Sequence, residues 1–239
     1  MSYDTNKSEA ALIKFVFLDL DDTIFDFHKS EGSALSYTLS GLGIEPTAQT
    51  LALYSKINRE GWEMLERGEA TRAEILTRRF RILFEKLGKD IPATAAQALY
   101  EKRLSEEYCY VDGAPELINS LLGKYKLYLA SNGTARVQDG RIAISGIAKF
   151  FDGIFISERI GHDKPSREFF EGCFKLIPDF SREEAIIIGD SLSSDILGGK
   201  NANIRTCLFN PQAKPLKADI LPDYEIRELS EIPALLEKI

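Results

Sequence analysis

Histidine is scarce in this chain of 239 residues: only His28 and His162 are present, which excludes a zinc site built on three histidines. A Ser-His triad would have to recruit one of the two, and no G-x-S-x-G turn accompanies them. The three cysteines, Cys109, Cys173 and Cys207, are odd in number, far apart and in no C-x-x-C pair. They fit neither a disulfide framework nor a zinc knuckle, and read as small buried thiols. No apolar run approaches the roughly 18 residues needed to cross a bilayer, and the N-terminal MSYDTNKSEAALIKF carries acidic residues in place of a leader's apolar stretch. A cytoplasmic protein with no membrane partner is expected. Basic residues are the minority, 30 Lys+Arg against 37 Asp+Glu for a net charge of -7, so a nucleic-acid polymer would be repelled. A small anionic ligand is admissible where the site brings its own cation. Oligomeric state has no signature here. The composition, 44% apolar with 17 Gly and 9 Pro, excludes disorder and collagen-like repeats and supplies material for two compact units.

Five short runs read as strands buried on both faces: Phe15 to Leu18, Leu127 to Ala130, Ile154 to Ile156, Ala185 to Ile188 and Thr206 to Phe209. Helix-like segments lie between them at Glu116 to Leu122, behind Pro115, at Arg167 to Leu176 and at Asp195 to Asn201. This alternation predicts an α/β fold with a doubly wound parallel sheet. The tail adds a short Tyr224-Glu225-Ile226 segment and a last helix near Ser230 to Lys238. The interval from Thr23 to Ser131 is several times the roughly 30 residues of one βαβ unit. Its excess has helical periodicity, as in Ile75, Leu76, Phe80, Leu83, Phe84 and Leu87, and glycine-rich breaks divide it into about four helices. The predicted organisation is a discontinuous core, residues 1–26 and 112–239, interrupted by an all-helical insert, residues 27–111.

Carboxylates collect at strand ends. Asp19, Asp21 and Asp22 follow the first strand, and alternation puts Asp19 and Asp21 on one side of an extended chain, at the edge where open α/β sheets bind ligands. By itself such a cluster is an ordinary acidic turn. Another strand, however, ends in Gly189-Asp190-Ser191 with Asp195 close behind, and the combined oxygen donors suit Mg²⁺. Ser131-Asn132-Gly133 can wrap donors around an anion, and Lys164-Pro165 offers an ammonium.

The order strand-D-x-D-x-T, strand-S-N, K-P, strand-G-D-x4-D resembles the haloacid dehalogenase superfamily of aspartyl-phosphate phosphohydrolases, and the resemblance runs from Phe15 to the last helix. The insert looks like the helical cap of one subclass. DLDDTIFDF, ATRAEILTRRF and GDSLSSDILGGKNANI are similar to the pyrimidine 5′-nucleotidase branch. The resemblance implies that Asp19 is the nucleophile and Asp21 the acid and base. It also implies Mg²⁺ on Asp19, Asp190 and the Asp21 carbonyl with Thr23 and Asp195 beside it, and phosphate oxygens on Ser131, Asn132 and Lys164. The implied partner is a small phosphorylated metabolite. Asp21 argues against a carbon–halogen dehalogenase, whose halide needs no acid. A phosphatase of another metabolite and a phosphomutase remain open on the same scaffold. A receiver-like phosphoacceptor domain is a non-enzymatic alternative, about half as long and with its acceptor after a middle strand. Specificity is expected from Trp62, Arg72 and Arg79 in the insert and from Phe25 and His28 near its base.

Overall fold

The computed structural model of the chain describes residues 12–216 and 219–239; the N-terminal stretch read above for a leader lies, up to residue 11, outside the described residues. Six strands, β1 (Phe15–Leu18), β2 (Lys126–Ser131), β3 (Gly153–Ile156), β4 (Ala185–Gly189), β5 (Arg205–Phe209) and β6 (Tyr224–Ile226), form one sheet in the order β3-β2-β1-β4-β5-β6. All neighbours are parallel. The helices α1 (Phe27–Gly41), α2 (Ala48–Glu66), α3 (Arg72–Leu87), α4 (Ala93–Ser105) and α5 (Ala114–Leu121) lie between β1 and β2. The helix α6 (Ala135–Ser145) joins β2 to β3, α7 (Ser157–Ile160) and α8 (Arg167–Phe174) lead to β4, α9 (Leu197–Asn201) leads to β5, and α10 (Ile232–Leu236) follows β6.

Alternation along the strands builds two cores. Val16, Leu18, Leu129, Ile186 and Ile188 pack with Leu117, Ile118 and Leu121 of α5 and Ile232 of α10. Phe15, Phe17, Tyr128 and Ile187 pack on the other side with Phe169, Phe170 and Phe174 of α8. A sheet covered on both faces needs apolar residues at every strand position, which is the pattern in the sequence.

The first four helices form a third cluster, centred on Tyr54, Phe80, Phe84 and Tyr100 and joined by Val137 of α6. Local chemistry sets their ends. Asp26 accepts from the Lys29 N–H at the start of α1, Thr47 from Thr50 at α2, and Thr71 and Glu74 form a capping box at α3, which stops at Gly88 in the left-handed region. The chain enters and leaves this insert at one place. Asp26 N–H donates to Cys109 O (2.8 Å), Val111 N–H to Ile24 O (3.0 Å), and Phe25 faces Tyr110.

Several details differ from the sequence expectation. The helices α6 and α7 have no counterpart in it, and α8 ends at Phe174 rather than Leu176. The segment expected as a helix from Asp195 begins instead as a π-helical turn, Leu192–Ile196, before α9. The last helix is shorter than expected, Ile232–Leu236 after a 3₁₀ turn. Cys173 and Cys207 are buried free thiols and Cys109 is half-buried. No helix among the described residues is long and apolar enough to cross a membrane.

Candidate active site

Because β1 lies between β2 and β4, its carboxyl end is flanked by the loops of both, and Asp19 N–H still donates to Ile188 O (2.9 Å) as a last rung of the sheet. Lys164 crosses beneath these loops, 1% exposed. Its ammonium donates to Asp19 Oδ1 (2.6 Å), Asp195 Oδ1 (2.7 Å) and the carbonyl of Ala130 (2.7 Å). Asn132 fixes the approach of that lysine: its amide nitrogen donates to Lys164 O (2.8 Å) and its amide oxygen accepts from Lys164 N–H (2.9 Å). Asp195 is held from its other side by the Ser191 N–H (3.1 Å). Gly189 is needed for this packing, since a Cβ there would lie 2.2 Å from Asp195 Oδ2.

Carboxylate oxygens of Asp19, Asp190 and Asp195 lie within 4.8 Å of one another. Burial pushes the Asp19 carboxyl well above the usual range; Lys164 opposes the rise, and Asp195 and Asp21 add to it. Asp190 is exposed at its outer side, yet the protein around its carboxylate and the charges of Asp19, Asp195 and Asp22 raise it well above the usual range. Burial alone would lower Lys164, but Asp19 and Asp195 outweigh it and raise its pKa above the ordinary lysine value. One ammonium thus serves two of the three carboxylates, and Asp190 has no ion-pair partner among the described residues. Hard oxygen donors with excess negative charge fit a divalent cation such as Mg²⁺. Both oxygens of Asp195 already accept from protein donors, which suits it to orienting Lys164 beside such an ion more than to binding the ion.

The turn after β1 spreads the remaining carboxylates. Asp22, at φ 59, accepts from the Phe27 N–H (2.9 Å) and lies 3.5 Å from His28 Nε2. Burial pushes Asp22 up to about 6 against the opposing charge of His28. Thr23 is buried with no hydrogen-bond partner for its hydroxyl among the described residues. Asp21 turns towards α6: Gln138 Nε2 donates to its Oδ2 (2.5 Å), and Arg141 Nη1 donates to its Oδ1. Gln138 also donates to Ser131 Oγ (2.9 Å), which accepts from the Gly133 N–H (3.0 Å). Neither Gln138 nor Arg141 was singled out in the sequence, because the helix that carries them was not.

The five expected specificity residues do not converge. Arg79, 5% exposed, is inside the insert, where it donates to Asn58 Oδ1 (2.7 Å) and Gln97 Oε1 (3.0 Å) and lies over the Tyr100 ring. The structure corrects that assignment: Arg79 serves the insert's interior. Phe25 is fully buried against Tyr108 and Tyr110 at the base of the insert, which corrects its assignment as well. His28 is exposed beside Asp22. Arg72, at the start of α3, reaches across to Asp163 and to Ser157 Oγ (2.6 Å), so its guanidinium is engaged next to Lys164. Trp62 is half-buried on α2. One turn further on the same helix face, Glu66 accepts from Ser193 Oγ (2.6 Å), two residues from Asp195. Burial raises the Glu66 carboxyl against that hydrogen bond. A spacing of four from Trp62, just before the Gly68 break, was the available signal for Glu66.

A model of the haloacid dehalogenase-like hydrolases matches residues 16–209. The protein named HAD-hydrolase YfnB, from Bacillus subtilis, is 39% identical over 221 residues, 92% of this chain and 94% of that one. The pyrimidine 5′-nucleotidase PynA of Streptococcus pneumoniae is 34% identical over 226 residues, 94% of this chain and 95% of that one. A crystal structure of YfnB bound to magnesium is similar with a TM-score of 0.91 and 38% identity, covering 95% of this chain and 99% of that chain.

Proposed function

The chain belongs to the haloacid dehalogenase-like hydrolases, and on that premise we propose that it hydrolyses phosphomonoesters through an aspartyl-phosphate on Asp19, with pyrimidine nucleoside 5′-monophosphates preferred. The observation that carries this reading is the buried Asp19 gripped by Lys164 beside Asp190 and Asp195, with Asp21 two residues on.

A carboxylate oxygen of Asp19 attacks phosphorus in line with the ester oxygen. The P–O bond to the alcohol breaks, its electron pair goes to the leaving oxygen, and Asp21 supplies the proton. Water then gives a proton to Asp21 and attacks phosphorus; the acyl-phosphate bond breaks, freeing Asp19 and inorganic phosphate. Lys164, Ser131 and the Asn132 N–H neutralise the equatorial oxygens, and positioning and charge supply most of the catalysis. Asp19, Asp190 and the Asp21 carbonyl would hold Mg²⁺, with Thr23 and Asp195 beside it. When bound, the ion screens the anionic nucleophile from the anionic substrate. Residues 27–111 act as a cap that encloses the leaving group, with Glu66 touching the loop that carries Asp195 through Ser193. The substrate preference is supported by the two pyrimidine 5′-nucleotidases, PynA and YjjG, among the relatives. Asp21 favours an alkoxide leaving group over a halide.

The test is a kcat/KM panel of uridine and thymidine 5′-monophosphates, hexose phosphates, phosphoglycolate and p-nitrophenyl phosphate, with Mg²⁺ or EDTA. Turnover only with metal, abolished by Asp19→Asn and highest for the nucleotides, is expected. Nucleotides ranking last would overturn the preference, and activity in Asp19→Asn the mechanism.

A further inference from the structure

Among the described residues Arg141 is the largest fully buried side chain, 0% exposed, yet its Nε and Nη2 have no hydrogen-bond partner there. Burying a guanidinium costs several kcal/mol, and donors left unmatched add to that cost. The offsetting contacts are specific. Nη1 donates to Asp21 Oδ1 and to Gln138 Oε1 (3.0 Å), while the guanidinium carbon lies 5.1 Å from the Phe25 ring centre and 5.9 Å from that of Phe27. Cation–π stacking on two rings at the base of the insert holds the plane of the group. Gln138, one turn earlier, takes the second Asp21 oxygen and ties it to Ser131 Oγ. The backbone makes room for this amide: a Cβ on Gly133 would lie 2.0 Å from Gln138 Nε2.

A carboxylate on a turn has several rotamers of similar energy. Two donors from one rigid helix, one on each oxygen, select a single orientation. The geometry points to Arg141 and Gln138 as positioning residues that aim Asp21 at the leaving-group oxygen, an inference that rests on the phosphatase reading above. A role limited to packing α6 on the core would affect all substrates alike. A role in aiming the acid affects only those whose leaving group needs a proton, because p-nitrophenolate departs without one.

The experiment compares kcat/KM, which reads the steps up to release of the alcohol, for two alkyl esters (uridine 5′-monophosphate and β-glycerophosphate) and for p-nitrophenyl phosphate. The variants are Arg141→Met, Arg141→Lys, Gln138→Met and, as reference, Asp21→Asn. In Arg141→Met and Gln138→Met the alkyl esters should lose about 100-fold, the low end of what a positioned acid contributes, and the aryl ester no more than about threefold. Arg141→Lys, which keeps a donor, should recover part of the alkyl activity. If Arg141→Met does not fold, Gln138→Met, which removes no charge, decides. Alkyl losses that exceed the aryl loss by less than roughly tenfold, while Asp21→Asn does split the two classes, would overturn the positioning role alone. A wild-type enzyme that hydrolyses none of the three esters would overturn the phosphatase reading with it.

Discussion

A lysine ammonium has three hydrogens, and at Lys164 each meets an oxygen, from Asp19, Asp195 and Ala130. With its three hydrogens engaged, the ammonium makes no ion pair with Asp190, which stands in the same cluster with negative neighbours. The imbalance gives a direct measurement. Mg²⁺ at about 100 times its dissociation constant should stabilise the folded protein by roughly 2.7 kcal/mol, a rise in Tm on the order of 5–10 °C for a chain of this size. Asp190→Asn should remove most of that rise while leaving the melt without metal near or above that of the parent. Thermal melts of both proteins with and without Mg²⁺ decide, and a parent indifferent to Mg²⁺ would exclude the cation from this cluster.

Elements were legible where burial is apolar and illegible where it is not. Strands β1 to β5 read correctly because they are covered by side chains on both faces, so their sequences are forced to be largely apolar, whereas β6, with Glu225 exposed, reads only as a short segment of the tail. The motif residues stand out in the sequence for a related reason: strand ends stop abruptly in Asp, Ser or Gly. The helix α6 escaped because its buried face is Val137, Gln138, Arg141 and Ile142, half of it polar, leaving no apolar stripe to follow. The polar half is the part that meets Asp21. Arg79 misled for the converse reason, since nothing in sequence distinguishes an arginine inside a polar-centred helical bundle from one on a solvated face. Between elements, Arg72 of α3 and Asp163 of the loop before Lys164 form a bridge that a double-mutant cycle can read. Arg72→Ala and Asp163→Asn should each lower kcat/KM for all phosphate esters in similar proportion, and the double variant should be little worse than either. The coupling should fall between about 0.5 and 3 kcal/mol. Additive losses would show that the two side chains act separately.

At the scale of the molecule, the insert has its own interior, and that interior is partly ionic. Glu31 is buried and accepts from Asn58 (2.7 Å) and Ser55, and Asn58 in turn accepts from Arg79. Arg79→Met leaves Glu31 without its balancing charge, which should cost about 3 kcal/mol and lower Tm on the order of 6–12 °C. The ranking of substrates should be unchanged in that variant. A panel in which Arg79→Met reorders the substrates while the melt stays put would return this residue to the substrate-binding surface.

The central place of β1 also sets an order of assembly. Phe15 aligns with Lys126 on one side and with Ala185 on the other, so β1 is flanked by partners made after the entire helical insert. The insert can bury its aromatic cluster from local contacts, whereas β1 must wait, its four apolar residues unpaired, for sequence-distant strands to arrive. The proposed nucleophile waits too: Asp19 is made before the ammonium and the carboxylates around it, which come from residues 164–195. A chain interrupted before β4 therefore carries an acidic turn with no chemistry attached and a bare hydrophobic strand, the part of the nascent protein most exposed to aggregation.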